Sequence, residues 1–300
     1  MHNATLLYFK GDEHAALSLA NLIDADAQLV KRHDFPDGEF KLQLPTSLAK
    51  KTIIFHTLDH PNEKLIELLF VAPTARLMGA SCLTLIAPYM AYMRQDLAFV
   101  SGEVVSQRIV GDLLASLFDA VITVDPHLHR VSSLDEAIPV KRALVLSAAP
   151  LLGEFAARRR DNPLLLGPDG ESAQWVAQAA EANRLDYAVA QKVRHGDRAV
   201  EITLPVIDVK GRSVVLLDDI ASSGTTLARA AELLLIAGAK TVDVAVTHAL
   251  FNHGALDLIR HAGVDQIWST DCVMHPSNAV SVSALIAQAW KTLSSTDQVS

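Results

Sequence analysis

Aspartate, serine and threonine crowd one stretch of this 300-residue chain, Ser213 to Ala239, in the order SVVLLDDIASSGTTLARAAELLLIAGA. An apolar strand ends in Asp218 and Asp219, and a loop of small residues then opens a helix. Ser222, Ser223, Gly224, Thr225 and Thr226 can turn backbone amides and hydroxyls toward one phosphate at the helix N-terminus, where the aligned peptide dipoles also favour an anion. The two acids just upstream are placed to accept hydrogen bonds from vicinal hydroxyls of a sugar whose phosphate the loop holds. Asp and Ser are also ordinary turn and N-cap residues. What sets this segment apart is the order: apolar strand, paired acids, Ser-Ser-Gly-Thr-Thr, long helix.

Other polar strings interrupt apolar surroundings. FPDGEF, Phe35 to Phe40, contains Pro-Asp-Gly, which alone is a common turn. PYMAYMRQDLAFVSGE, Pro88 to Glu103, follows a strong apolar strand and alone reads equally well as a solvated loop. VDPH, Val124 to His127, is a weak metal hint and also a normal strand-end loop. In KVRHGDR, Lys192 and Arg194 alternate along an extended segment, which puts both cations on one side, although the string alone suits a solvated basic patch. No G-x-x-x-x-G-K-[ST] string is present, and no G-x-G-x-x-G opens a helix. P-loop kinases and dinucleotide-dependent dehydrogenases are therefore disfavoured.

These strings must be held by a scaffold. Short apolar runs at Ala4 to Phe9, Lys51 to Thr57, Cys82 to Pro88 and Ala120 to Asp125 alternate with helical-period stretches at Glu13 to Ala25 and Glu63 to Met78. The rhythm continues with strands at Leu164 to Gly167, Tyr187 to Lys192, Ser213 to Asp219, Thr241 to Phe251 and Gln266 to Asp271. Helices are expected at Glu171 to Asn183, Gly224 to Ala237, Ala255 to Ala262 and Ala279 to Thr292. Apolar strands flanked by helices predict an α/β chain with mainly parallel sheets covered on both faces, and ligands gather at the carboxyl ends of such strands. The length suits two α/β domains of roughly 150 residues each. Their seam is expected near 140–150, giving domains of 1–144 and 145–300.

Half of the residues are hydrophobic and a fifth are charged, an ordinary globular balance. A net charge of −8 offers no general attraction to nucleic acid or to an anionic membrane, so the expected partner is a small molecule. A polyphosphate ligand would then need backbone amides, a few placed cations and a divalent metal to offset its charge. Cys82 and Cys272 make neither a disulfide framework nor a zinc spacing. The opening residues lack a signal-peptide pattern and no apolar run approaches a membrane span, which predicts a cytoplasmic protein.

The Asp218 to Thr226 segment resembles the phosphoribosyl pyrophosphate loop shared by phosphoribosyltransferases and ribose-phosphate pyrophosphokinases, and by itself it does not choose between them. Together with FPDGEF, PYMAYMRQD, VDPH, GPDGESAQW at Gly167 to Trp175, KVR at Lys192 to Arg194 and TDCVMHPSN at Thr270 to Asn278, it resembles the ribose-phosphate pyrophosphokinase family, and within it a shorter, archaeal-like branch. That resemblance implies two tandem phosphoribosyltransferase-like domains. It also implies transfer of the β,γ-pyrophosphoryl group of ATP to ribose 5-phosphate, with Mg²⁺ as cofactor. Phe35, Asp37 and Glu39 would contact the adenine of ATP bound by a neighbouring subunit, with Arg94 and Gln95 on the other side of the nucleotide. His127 and Asp169 match metal positions, and Lys192 and Arg194 match the catalytic pair. Asp218, Asp219 and residues 222–226 would hold ribose 5-phosphate. A shared ATP site would require at least a homodimer. Two departures touch the substrate sites: Ser222 stands where many members have a third acid, and residues 171–175 replace a Gly-Gly-x-x-Arg-Ala string. The alternatives are a phosphoribosyltransferase using the same loop and a non-catalytic regulatory paralogue.

Overall fold

The computed structural model describes residues 3–128, 131, 133–195 and 199–296, with backbone alone at 192–195, 199–201 and 296. Chain contacts divide it into two units, residues 1–146 with 282–300, and residues 147–281.

The first unit begins with β1 (Thr5–Tyr8), α1 (Glu13–Ile23), β2 (Asp26–Leu29), β3 (Lys31–Asp34), β4 (Phe40–Gln43) and β5 (Lys51–Phe55). It continues through α2 (Pro61–Leu77), β6 (Cys82–Ala87), α3 (Ser106–Leu117), β7 (Ala120–Val124), α4 (Leu134–Ala137) and β8 (Arg142–Leu146). Six strands form a parallel sheet in the order β2-β1-β5-β6-β7-β8. Its inner strands are apolar on both faces, as Leu6, Leu7, Ile53, Ile54, Leu85, Ile86, Val121 and Ile122 are fully buried. This is the expected pattern of a sheet covered by helices on both sides. β3 and β4 stand apart as an antiparallel ribbon in which Asp34 pairs with Phe40. No apolar run announces that ribbon, because β3 is Lys-Arg-His-Asp and exposed throughout.

The second unit contains α5 (Ala149–Arg159), β9 (Leu164–Gly167), α6 (Ala173–Asn183), β10 (Tyr187–Val189), β11 (Gln191–His195) and β12 (Ala199–Thr203). It closes with β13 (Ser213–Ala221), α7 (Thr225–Ile236), β14 (Thr241–Ala249), α8 (Ala255–His261), β15 (Ile267–Thr270) and β16 (Asn278–Val280). Its parallel sheet runs β10-β9-β13-β14-β15-β16, and β11 and β12 form a separate antiparallel ribbon. Counted within each unit, both sheets follow the order 2-1-3-4-5-6, and both carry a two-stranded ribbon between the second and third sheet strands. The strand order reverses between β1 and β5 in one unit and between β9 and β13 in the other, and such switch points are where ligands settle in open α/β sheets.

The last helix, α9 (Ser283–Thr296), differs from the sequence reading, which starts it at Ala279 and keeps it with the second half. Ala279 instead lies in β16, and α9 packs against α1, β7 and β8 of the first unit. Ile286, Ala287, Trp290 and Leu293 form its buried stripe. Its last turn is held by cations, with Lys51 Nζ donating to the Ser294 carbonyl at 3.1 Å and an Arg142 guanidinium nitrogen donating to that of Leu293 at 3.0 Å. Among the described residues no helix is long and apolar enough to cross a membrane.

Candidate active site

The small-residue loop sits at the carboxyl end of β13, at the second unit's switch point. Gly224 caps α7 in the left-handed region, with φ of 73°, and accepts the helix's first hydrogen bond from Ala228 N at 2.8 Å. A Cβ at that position would lie 2.8 Å from Ile259 Cδ1 and 3.2 Å from the Ala255 carbonyl oxygen, so both conformation and space call for glycine. Ser223 Oγ accepts from Thr225 N at 3.4 Å, and Asn252 N donates to the Ser222 carbonyl at 3.0 Å. Ser223 and Thr225 are exposed, while Ser222 and Thr226 are half-buried. The loop therefore presents open hydroxyls at the amide end of a twelve-residue helix, which is the arrangement an anion needs.

Three carboxylates converge just before the loop. Asp218 and Asp219 lie inside β13, and Asp169 follows β9, the neighbouring strand. Asp218 Oδ1 accepts from Asp219 N at 3.0 Å, and Asp219 Oδ1 accepts from Ile220 N at 2.8 Å. Asp169 Oδ1 accepts from Glu171 N at 3.1 Å, capping a short 3-10 turn at Gly170–Ser172. Burial first, and then the charges of Asp219 and Asp169, hold the Asp218 carboxyl well above the usual carboxylate range. Carboxyl groups set this close at the carboxyl end of the sheet make a setting that favours a bound cation or hydroxyl donors. No group of three or more His, Cys, Asp or Glu among the described residues is arranged to hold a metal alone. A magnesium ion that keeps waters and substrate oxygens needs only one or two protein carboxylates, so Asp169 and its neighbours fit one.

Lys192 and Arg194 both fall on β11, in register with Ile202 and Val200 of β12. Their side chains lie outside what the structure describes. The sequence reading ends one strand at Lys192, whereas the chain forms β10 up to Val189 and starts a new strand at Gln191.

The remaining expected residues belong to the first unit. Phe35, Asp37 and Glu39 occupy the exposed tip of the β3–β4 ribbon. Pro-Asp-Gly there is a turn, with Gly38 N donating to the Phe35 carbonyl at 3.1 Å and Phe35 N to the Glu39 carbonyl at 2.7 Å. Gly38, with φ of 92°, supplies the left-handed residue that closes such a three-residue hairpin loop. Arg94 is exposed on the segment after β6. Gln95 has a structural task, since its Oε1 accepts from Ser106 N at 2.6 Å and Ser106 Oγ at 3.1 Å at the start of α3. His127 is half-buried in the loop after β7, at the carboxyl end of the first unit's sheet.

One cluster was not anticipated. At the first unit's switch point, His56 is 3 % exposed; its Nδ1 lies 2.6 Å from Asp12 Oδ2 and its Nε2 lies 2.9 Å from Glu67 Oε2. The ring stacks on Phe9 at 4.0 Å between centroids. Burial alone pulls the imidazolium down, but hydrogen bonds to Asp12 and Glu67 outweigh it and hold His56 above 6.5. Burial likewise pushes Glu67 up, but His56 and Arg32 together hold it below 4.5. The His56 contribution to stability is complete below 6.5 and fades as pH rises through its raised folded value, whereas the Glu67 contribution fades as pH falls below 4.5. The melting-temperature gap between the wild type and His56→Gln is therefore expected to narrow as pH climbs above neutrality. A gap independent of pH would mean that His56 is not charged in the folded chain.

A parallel α/β sheet with a small-residue loop after paired acids at its switch point defines a sugar-phosphate binding unit of the phosphoribosyltransferase class. Residues 147–267 match the profile described as "Phosphoribosyl transferase domain", and residues 5–117 match "N-terminal domain of ribose phosphate pyrophosphokinase". The chain is 35 % identical over 280 residues to the ribose-phosphate pyrophosphokinase of Methanopyrus kandleri, covering 92 % of this chain and 94 % of that one. It is 36 % identical over 254 residues to ribose-phosphate pyrophosphokinase 2 of Archaeoglobus fulgidus, covering 85 % and 88 %. A phosphoribosylpyrophosphate synthetase structure from Mycobacterium smegmatis shares the fold at a TM-score of 0.83 and 23 % identity, over 98 % of this chain and 99 % of that one. This chain belongs to the ribose-phosphate pyrophosphokinase family.

Proposed function

We propose that the chain transfers the β,γ-pyrophosphoryl group of ATP to the anomeric hydroxyl of ribose 5-phosphate, giving phosphoribosyl pyrophosphate and AMP. The observation that carries this reading is the loop at the β13–α7 junction directly after Asp218 and Asp219, in a chain of this family. Residues 222–226 receive the 5-phosphate, and Asp218 and Asp219 accept hydrogen bonds from the ribose hydroxyls.

The anomeric oxygen attacks the β-phosphorus as the bond from that phosphorus to the α,β-bridging oxygen breaks. AMP departs with the bridging oxygen, and the hydroxyl proton passes to solvent. Such a transfer is mostly positioning and charge stabilisation, which suits Lys192 and Arg194 as cations for the migrating group. Phe35, Asp37 and Glu39 receive adenine from a neighbouring subunit's ATP, with Arg94 and Gln95 on its other side. Asp169 of the second unit and His127 of the first are each proposed as a protein ligand for Mg²⁺, which when bound would neutralise charge on the nucleotide phosphates. A homo-oligomer is supported by exposed Phe99, Val100, Val104 and Ile109, each at least 60 % accessible along one stretch of the first unit.

Incubation of the purified chain with Mg²⁺, ATP and ribose 5-phosphate is expected to yield AMP and phosphoribosyl pyrophosphate in equal amounts, followed by mass-resolved chromatography. ADP with a ribose bisphosphate would indicate a simple kinase. No turnover from folded, oligomeric protein would favour the transferase or the regulatory paralogue.

A further inference from the structure

The β3–β4 ribbon carries three of the proposed adenine contacts, yet it shares no ladder with the six-stranded sheet. Chain continuity with β2 and the partial packing of Leu42 on the core help to hold it. The polar attachment runs through Arg32. Its Nε donates to Asp34 at 2.6 Å within β3, while its two terminal nitrogens donate to Glu67 at 2.7 Å and Glu63 at 2.9 Å on α2. The same guanidinium lies 4.2 Å from the ring centroid of Phe40 on β4, and Phe40 in turn rests against Phe70 of α2 at 5.6 Å. A single side chain thus joins both strands of the ribbon to α2.

The anchor is itself held. Glu67, 6 % exposed at its side chain, offers one oxygen to Arg32 and the other to His56, and His56 reaches Asp12 after β1. Charges therefore alternate in a chain from the end of β1 through β5 and α2 to β3. Its members also line a cavity of about 1070 Å³ at the first unit's switch point. A guanidinium that meets two carboxylates of one helix and a third on its own strand has a fixed direction, which an ammonium on a flexible stem lacks.

We infer that Arg32 is a positioning residue for the nucleotide: it fixes the β3–β4 ribbon on α2, three residues ahead of Phe35, with Glu67, His56 and Asp12 as its footing. The inference rests on the reading that Phe35, Asp37 and Glu39 receive adenine. Arg32 touches no substrate in this role. Its loss lets the tip wander, and a displacement of about 1 Å at a binding group is enough to cost one to two orders of magnitude.

The test compares Arg32→Met, Arg32→Lys and Phe35→Ala with wild type in the full-length protein, reading KM for ATP, KM for ribose 5-phosphate, kcat and melting temperature. Arg32→Met is expected to raise KM for ATP about tenfold, with KM for ribose 5-phosphate and kcat unchanged, and Arg32→Lys to recover part of the loss. Phe35→Ala is expected to raise KM for ATP as well. An effect of Phe35→Ala with none from Arg32→Met overturns the positioning role, as does a rise in both KM values alongside a collapse in melting temperature. A silent Phe35→Ala overturns the adenine reading and the inference with it, and the product analysis of the wild type then judges the reaction separately.

Discussion

Lys192→Ala is expected to lower kcat by about 10³-fold while leaving the melting temperature nearly unchanged. Loss of a cation from a phosphoryl-transfer site removes stabilisation that matters most as charge spreads over the migrating group. Stability should hardly respond, because β11 belongs to a two-stranded ribbon outside the main sheet. Arg194→Ala should behave similarly. If the pair acts as a unit, the double variant loses little more than either single one, since residues of one constellation are not additive. Single-turnover rates paired with thermal melts check both statements, and a wild-type rate for Lys192→Ala removes that residue from the mechanism.

Elements with strong apolar patterning were legible in the sequence. β9 spans Leu164–Gly167 as expected, and β13 with its loop stands where Ser213 to Thr226 suggested. The β3–β4 ribbon was not, because β3 faces solvent and carries no apolar residue. β3 is wholly polar, and the turn at Pro36-Asp37-Gly38 looked ordinary because it is a turn. The physical point missed was that an ordinary turn at the tip of a ribbon presents Phe35 and Glu39 together.

The chain of Asp12, Arg32, His56 and Glu67 was invisible for a different reason. Its members sit on β3, on α2 and just after β1 and β5, and no local spacing links them. Glu67 amid the leucines of α2 and His56 closing the apolar run of β5 were the available signals, since a buried acid or imidazole needs a partner. The amphipathic period of α9 likewise reveals a buried face but not what covers it, so its return to the first unit was not readable. The shared strand order of the two units is topological, and the local apolar runs do not reveal it. One unit carries the small-residue loop at its switch point, whereas the other carries there a buried ion chain that reaches its ribbon.

Gly224→Ala is expected to raise KM for ribose 5-phosphate by at least about tenfold and to lower stability by about 2 kcal/mol. Two separable costs act. Alanine is strained at a φ of 73°, and its Cβ would press on Ile259 Cδ1 at 2.8 Å, a side chain fully buried in α8. Combining it with Ile259→Val removes that terminal methyl and should return part of the stability lost by Gly224→Ala. Affinity should not return with it, because the strained φ and the Ala255 carbonyl 3.2 Å away still displace the amides of Ser223 and Thr225 from their aim. On the proposed role of the loop as the receptor of one phosphate, the two readouts part company in the double variant. If KM and stability recover together, the loop is a packing element; if KM stays at the wild-type value in Gly224→Ala while the melting temperature falls, the phosphate is held elsewhere.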